Sequence, residues 1–150
     1  MTRCDAIVVG GGPAGSSCAR KLRLAGWRVM VVDRARFPRD KVCAGCLTPD
    51  VFPLLDLDPD EYRSTGATLQ EITGFRTRVI GGSPVETRYP RTVSYAIRRC
   101  EFDAFLLRRA GVPVIDDSPV TSIRRDRATW IVNGQLEAPV IVGAGGHFCP

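Results

Sequence analysis

The feature that most constrains the fold lies in the first 33 residues, where two apolar runs flank a glycine-rich turn and an amphipathic segment. The first run, residues 5–9, leads into Gly10-Gly11-Gly12-Pro13-Ala14-Gly15, which fits the pattern G-x-G-x-x-G. Residues 13–25 have helical spacing, with Ala14, Cys18, Leu22 and Ala25 on one apolar stripe that would face the sheet. The second run, residues 29–32, ends at an acid, Asp33. Strand, helix and strand in this order predict a βαβ unit with a parallel sheet, the context in which this glycine pattern binds dinucleotides.

The residues of the glycine-rich turn have separate physical tasks in such a unit. Gly10 permits the tight turn, Gly12 lets a pyrophosphate approach the backbone, and Gly15 lets the helix pack closely on the strand. Pro13 suits the first turn of the helix. The N-terminus of this helix, which includes Ala14, offers backbone N–H groups and a partial positive charge to phosphates. A glycine-rich turn in an ordinary α/β domain is the alternative interpretation.

Asp33 narrows the choice of nucleotide. Its carboxylate can accept hydrogen bonds from both ribose hydroxyls, and it would repel the 2′-phosphate of NADP. The pattern does not choose between FAD and NAD. Three interpretations therefore stay open at this point: a flavoprotein, an NAD-binding dehydrogenase domain, and a non-catalytic nucleotide-binding or basic interaction module.

Composition excludes several other classes. The 150 residues predict one domain, and with 44% hydrophobic and 25% charged residues the chain is neither disordered nor a membrane bundle. No apolar run approaches the roughly 20 residues of a membrane helix, and the start of the chain leaves no room for a signal peptide, so we expect a cytoplasmic protein. The net charge of +5 is spread along the chain, which argues against nucleic-acid binding. One histidine, His147, excludes any site that needs two imidazoles.

The remaining sequence predicts strands and one further helix. Residues 68–98 are typical of two or three strands (68–79, 85–89 and 92–98), residues 120–124 and 128–132 of a hairpin, and residues 140–142 of a final buried strand. Residues 101–109 are typical of a helix, with inward positions at Phe102, Phe105, Leu106 and Ala110. We therefore predict an α/β fold, a Rossmann-like dinucleotide-binding domain with a parallel sheet and an additional antiparallel β portion. An alternative places all strands in one sheet.

Three further stretches carry a resemblance. Asp33 is followed by Phe37-Pro38-Arg39-Asp40-Lys41-Val42-Cys43-Ala44-Gly45, and later come Arg99-Cys-Glu-Phe-Asp103 and Gly143-Ala-Gly-Gly146. Together with the glycine-rich turn, this order resembles the FAD-dependent oxidoreductases of the geranylgeranyl reductase type, within the broader aromatic-hydroxylase-like flavoproteins. The matches extend over nearly the whole chain.

The resemblance implies a set of cofactor contacts. The turn from Gly10 to Gly15 would bind the FAD pyrophosphate, with Arg99 reaching the same group. Asp33 would bind the adenosine ribose, Arg34 would lie beside the adenine, and the main chain of Val120 would contact it. The residues implied beside the flavin ring are Lys41, Cys43 and Gly45.

The resemblance also implies an activity. Such proteins carry out two-electron redox chemistry on a small-molecule substrate, and reduction of double bonds in a prenyl chain is the first expectation, with NAD(P)H as a possible electron donor. Monooxygenation or halogenation is the alternative. Relatives commonly have an acid where this chain has Gly145, and they are usually much longer. We therefore expect residues 1–150 to be an incomplete FAD/NAD(P)-binding domain that is not competent alone, with residues 68–98 as the first strands of a substrate-side sheet.

Cys43 and Cys46 form a C-x-x-C pair. A zinc site would need a second such pair, which the other four cysteines do not provide, so we predict no metal. A dithiol that works with the flavin, small thiols that merely pack, and Cys43 alone touching flavin or substrate are the remaining interpretations. Arg39 and Lys41 nearby would lower the pKa of Cys43 and favour its thiolate, which makes Cys43 the candidate catalytic residue.

Overall fold

The structure is a computed structural model that describes residues 1–148. The chain divides into two compact units. The first consists of Met1–Asp40 and Asp103–Pro150, and the second consists of Lys41–Phe102. The proposed boundaries of the FAD-binding domain and of a substrate-side sheet stay predictions.

The strands and helices are short. In chain order the strands are β1 (Thr2–Arg3), β2 (Ala6–Val9), β3 (Val29–Val32), β4 (Cys46–Leu47), β5 (Leu69–Ile72), β6 (Gly74–Thr77), β7 (Val85–Arg88), β8 (Ser94–Ile97), β9 (Val114–Ile115), β10 (Ile123–Asp126), β11 (Thr129–Val132), β12 (Leu136–Ala138) and β13 (Val140–Gly143). The helices are α1 (Pro13–Leu24), α2 (Val51–Leu54), α3 (Pro59–Arg63) and α4 (Arg99–Ala110), followed by a 3₁₀ turn at Gly146–Phe148.

The first unit is built on a parallel sheet with the strand order β13-β2-β3-β9. β2 and β3 are adjacent and parallel, with Ala6 opposite Val29 and Val9 opposite Val32. The strands β2 and β3 and the helix α1 between them confirm the predicted βαβ unit. The residues of β2 are all buried because the sheet is covered on both faces.

The two faces of this sheet have different coverings. Ala6 and Val8 pack in a cluster with Ala19 of α1 and with Leu107 and Ala110 of α4. On the other face, Ile7 and Val9 of β2 pack in a cluster with Val132, Leu136 and Ala138. These three residues belong to a second sheet, which has the strand order β1-β12-β11-β10. In this second sheet β10 and β11 form the predicted antiparallel hairpin.

The second unit contains two small antiparallel sheets. One has the order β4-β8-β5, and the other is the β6–β7 hairpin. Aromatic side chains supply much of its core: Phe52 packs edge-on against Tyr95 at 5.1 Å between ring centroids, and Tyr62 against Phe102 at 5.4 Å. The additional antiparallel β portion is thus present, and the strands form four sheets rather than one.

Several expected boundaries differ from the structure. The single strand expected at 68–79 is broken at Thr73 into β5 and β6, which belong to different sheets. On α1 the expected inward stripe included Ala14 and Ala25, but both are exposed, and the buried residues are Gly15, Ser16 and Ala19. Close packing at Gly15 explains this shift, as described below. Within residues 1–148 no helix is long and apolar enough to cross a membrane.

Candidate functional site

The turn at Gly10 joins the ends of three parallel strands. Gly10 has φ of 110°, and its N–H donates to the carbonyl of Val32 at 2.7 Å. A Cβ at this position would lie 2.4 Å from the carbonyl oxygen of Ala144, whose own N–H donates to Val9 at 2.7 Å. Both the left-handed conformation and the close approach of the backbone after β13 therefore require glycine here.

Gly15 determines which face of α1 packs inward. A Cβ on Gly15 would lie 1.8 Å from the carbonyl oxygen of Gly10 and 3.2 Å from Val8. No side chain fits in that space, so the helix approaches the turn with its smallest residue. Ser16 braces the same turn, because its Oγ donates to the carbonyl of Gly11 at 2.8 Å.

A side chain would have space at Gly12, in contrast to Gly10 and Gly15. Gly12 is the N-cap of α1 with φ of −69°, and no described side chain caps the helix. A Cβ on Gly12 would meet only Nη2 of Arg39, at 3.4 Å. The N–H groups of Ala14 and Gly15 fall in the first turn, where the helix itself provides no acceptor. Gly12 and the start of α1 therefore present an open backbone surface of N–H donors, which suits an anion.

Asp33 is bonded to the same turn. Its side chain is almost fully buried, with 9% of the residue exposed. Oδ2 accepts the N–H of Gly11 at 2.6 Å, and Oδ1 accepts the N–H of Ala35 at 2.8 Å. The sequence interpretation gave Asp33 only a ligand-binding task. The structure shows a second one, in which the carboxylate fixes the glycine-rich turn against the end of β3.

The sequence interpretation gave no site function to the pair of Arg39 and Asp103. Arg39 Nη2 lies 3.3 Å from Oδ2 of Asp103, whose side chain is fully buried. The guanidinium carbon lies 4.8 Å from the ring centroid of Phe37. Both charged residues occur in the stretches that carry the resemblance, but nothing in the sequence indicated that they contact each other.

Two further candidates of the first unit lie outside the turn. Arg34, directly after Asp33, is exposed. Val120 lies in the loop before β10, which begins at Ile123 rather than at residue 120, and it packs on the cluster beneath the parallel sheet. That loop is fixed by Asn133, whose Oδ1 accepts the N–H of Thr121 at 2.9 Å.

The other four candidates belong to the second unit. Gly45 is buried with φ of 71°, and a Cβ there would lie 2.5 Å from the carbonyl oxygen of Ile97. The Gly45 N–H donates to Sγ of Cys43 at 3.4 Å, while Cys43 and Lys41 are exposed. Arg99 is the first residue of α4. Their contribution to a cofactor site stays a prediction.

Metal ligation finds no support in the described residues. Within residues 1–148 no group of three or more histidine, cysteine, aspartate or glutamate side chains is placed to bind a metal ion. Cys149, one of the six cysteines, lies outside the described residues.

Comparison with known proteins identifies the class to which this arrangement belongs. Residues 5–70 match the sequence model of the family described as FAD dependent oxidoreductase. This match covers 66 of the 150 residues and includes the glycine-rich turn and Asp33. It is 32% identical to geranylgeranyl diphosphate reductase of Rhodobacter capsulatus over 95% of this chain and 37% of that protein. It is also 58% identical over 48 residues to menaquinone reductase of Mycolicibacterium smegmatis, which covers 32% of this chain and 12% of the reductase.

A solved structure extends the similarity to a flavin-dependent halogenase. The flavin-dependent halogenase CmlS superposes with a TM-score of 0.75 and 27% sequence identity, over 100% of this chain and 30% of the halogenase. The chain thus spans less than two fifths of the length of the Rhodobacter reductase and less than a third of the halogenase. The expected Rossmann-like FAD-dependent fold and the resemblance to geranylgeranyl reductases are confirmed.

Proposed function

We propose that the chain binds FAD with the pyrophosphate on the Gly10–Gly15 turn and the adenosine ribose at Asp33. The observation that carries this proposal is the open position at Gly12, where a Cβ would meet only Arg39, between two glycines that are tightly packed. A pyrophosphate needs such a gap to reach backbone N–H groups. The residues of the turn fit the cofactor on this ground.

Asp33 remains able to bind a ribose while it supports the turn. Each carboxylate oxygen accepts one backbone N–H, from Gly11 and Ala35, and each has a further lone pair for a hydroxyl donor. We propose that Arg34 lies beside the adenine, that Val120 contacts it through the main chain, and that Pro13 and Ala14 belong to the anion-binding turn. The resemblance supports Arg99 at the pyrophosphate and a flavin-ring environment formed by Lys41, Cys43 and Gly45.

We propose that the protein reduces carbon–carbon double bonds of a prenyl chain. Bound FAD would supply a two-electron carrier, and the protein would supply binding, orientation and electrostatics. The name and the 32% identity of the Rhodobacter reductase support this reaction. NAD(P)H is the proposed electron donor, and Cys43 is the proposed residue that contacts flavin or substrate.

The halogenase CmlS supports a second candidate, because the whole chain superposes on it at 27% identity. Halogenation or monooxygenation uses the same cofactor half. A purified full-length protein reduced with dithionite and given geranylgeranyl diphosphate distinguishes the candidates. The proposed reductase adds one pair of hydrogens per double bond, which mass spectrometry detects. In a parallel aerobic reaction with NAD(P)H, chloride and an aromatic acceptor, hydroxylation or halogenation of the acceptor, together with no saturation of the prenyl chain under dithionite, would overturn the reductase proposal.

Binding is tested separately from activity. Isothermal titration of the purified chain with FAD and with NAD measures both affinities under one condition. We expect FAD to bind more tightly than NAD, and Gly12→Ala to weaken FAD at least tenfold, since its methyl group would occupy the gap over the turn. Gly82→Ala is the control: its Cβ would approach only Val79, in the second unit. Tighter binding of NAD, or equal affinities for the two glycine variants, would contradict the proposed site.

A further inference from the structure

Arg39 is fixed by the fold rather than extended into solvent. Only 19% of its side chain is exposed, and Nη2 pairs with the fully buried carboxylate of Asp103 at 3.3 Å. Its guanidinium carbon lies 4.8 Å from the ring centroid of Phe37. A carboxylate on one side and an aromatic ring beneath restrict the orientation of the guanidinium, so its N–H donors are fixed relative to the neighbouring residues.

That position is at the glycine-rich turn. Nη2 lies 3.4 Å from the point that a Cβ of Gly12 would occupy, which is the open gap proposed for the pyrophosphate. Nη1 is buried and has no hydrogen-bond acceptor among the described residues. A guanidinium has five N–H donors in a planar fork, and one buried carboxylate does not use all of them. Donors therefore remain beside the helix N-terminus, where a negative charge is favoured.

We propose that Arg39 is a further anion-binding residue, whose guanidinium donates hydrogen bonds to the phosphates of the dinucleotide held at Gly12, with Asp103 as the residue that positions it. This inference rests on the proposed function, because it concerns the same site. The planar fork of arginine matches phosphate oxygens, and two parallel N–H donors bind them more strongly than a single neutral donor. Asp103 sets the direction of the guanidinium and does not itself contact the ligand.

The test separates the phosphate contact from a purely structural contribution. The ¹⁵N-labelled chain is titrated with ADP and with adenosine, which share the base and ribose but differ in the phosphates. We expect Arg39→Met to weaken ADP about ten- to a hundredfold, in line with the loss of charge-assisted hydrogen bonds, and to change adenosine affinity by less than about twofold. Arg39→Lys, which keeps the charge but loses the fork, should be intermediate for ADP.

The matched control is Arg36→Met. This substitution removes the same charge three residues earlier, at an exposed position that the structure places outside the turn, and should change neither affinity. If Arg39→Met does not give a dispersed amide spectrum, the double variant Arg39→Met/Asp103→Asn carries the test, because it also removes the buried negative charge that Arg39 balances. The same ADP-specific loss is expected of it.

The outcomes distinguish failure of the contact proposed for Arg39 from failure of the proposed FAD site. Equal loss of ADP and adenosine affinity, or no loss relative to Arg36→Met, would overturn the contact proposed for Arg39 while leaving the FAD site intact. A wild-type chain that binds neither ADP nor FAD would instead overturn the proposed function, and this inference with it. ADP-specific loss at Arg39 alone supports both.

Discussion

Replacement of Asp33 by alanine should destabilise the protein before any ligand is added. The carboxylate accepts two backbone N–H groups, from Gly11 at 2.6 Å and from Ala35 at 2.8 Å, in a position that is 9% exposed. Hydrogen bonds to charged groups contribute about 1.5–3 kcal/mol each, and an unsatisfied buried donor costs about 1–3 kcal/mol. Since water can replace part of the loss, we expect Asp33→Ala to lower the free energy of unfolding by about 2–4 kcal/mol, a fall in Tm of roughly 5–15 °C.

Two further variants make this test specific. Asp33→Asn keeps one acceptor oxygen and places an amide N–H₂ against the second donor, so its loss should be about half as large. Asp116→Ala removes an exposed acid just after β9, and should change stability by less than about 0.5 kcal/mol. Urea unfolding of the three variants without nucleotide measures the differences. If Asp33→Ala is no less stable than Asp116→Ala, Asp33 does not support the turn, and the argument is refuted.

Three further predictions concern the turn, the acid stability and the thiols. Gly12→Ala should leave Tm within about 2 °C of the wild-type value, because φ of −69° suits alanine and its Cβ would meet only Arg39 at 3.4 Å; a large fall in Tm would show that the gap is part of the packing. Hydrogen bonds from Arg28 lower the pKa of Asp5, so this pair stabilises the protein above the unfolded pKa of ~4 and loses that effect as the pH falls through the lower folded value. The Tm difference between wild type and Asp5→Asn should therefore be present at neutral pH and disappear in acid, and a difference that persists unchanged would contradict the pair. Burial raises the pKa of the Cys4 thiol, so iodoacetamide should label exposed Cys43 and spare Cys4 in the native protein, as peptide mass analysis would show.

The part of the fold that the sequence could predict is the part in which local pattern and tertiary environment agree. β2 and β3 are apolar at every position because both faces of the parallel sheet are covered, and an uninterrupted apolar run is the signal of that environment. The inward residues predicted for α4, such as Phe102 and Leu106, are also buried, since helical spacing places them on one face of the helix. In these elements the hydrophobic pattern alone predicts both the secondary structure and the buried face.

Prediction failed where no periodicity marks an element and where close tertiary contacts decide the structure. α3 occupies five residues of a Pro- and Asp-rich stretch, and it begins with an Asp58 side chain that accepts the N–H of Asp60, a cap with no helical periodicity beside it. Ala14 was expected to face inward by its spacing, but Gly15 is turned inward because the Gly10 carbonyl leaves room for nothing larger. The pairing of Arg39 with Asp103 was not predicted, because the two residues meet only through the tertiary fold.

The hydrogen bonds that support the glycine-rich turn should all raise its affinity for a nucleotide. Its backbone is fixed at successive residues: the Gly10 N–H donates to Val32 at 2.7 Å, the Gly11 N–H donates to Asp33, and the Gly11 carbonyl accepts from Ser16 at 2.8 Å. All of these contacts are formed in folding, so the cost of ordering the turn falls on folding rather than on binding. A site whose donors are already oriented binds a phosphate more tightly than a mobile loop with the same donors. Ser16→Ala, which removes one of these supports, should therefore weaken nucleotide binding even though the Ser16 side chain is not proposed to contact the nucleotide.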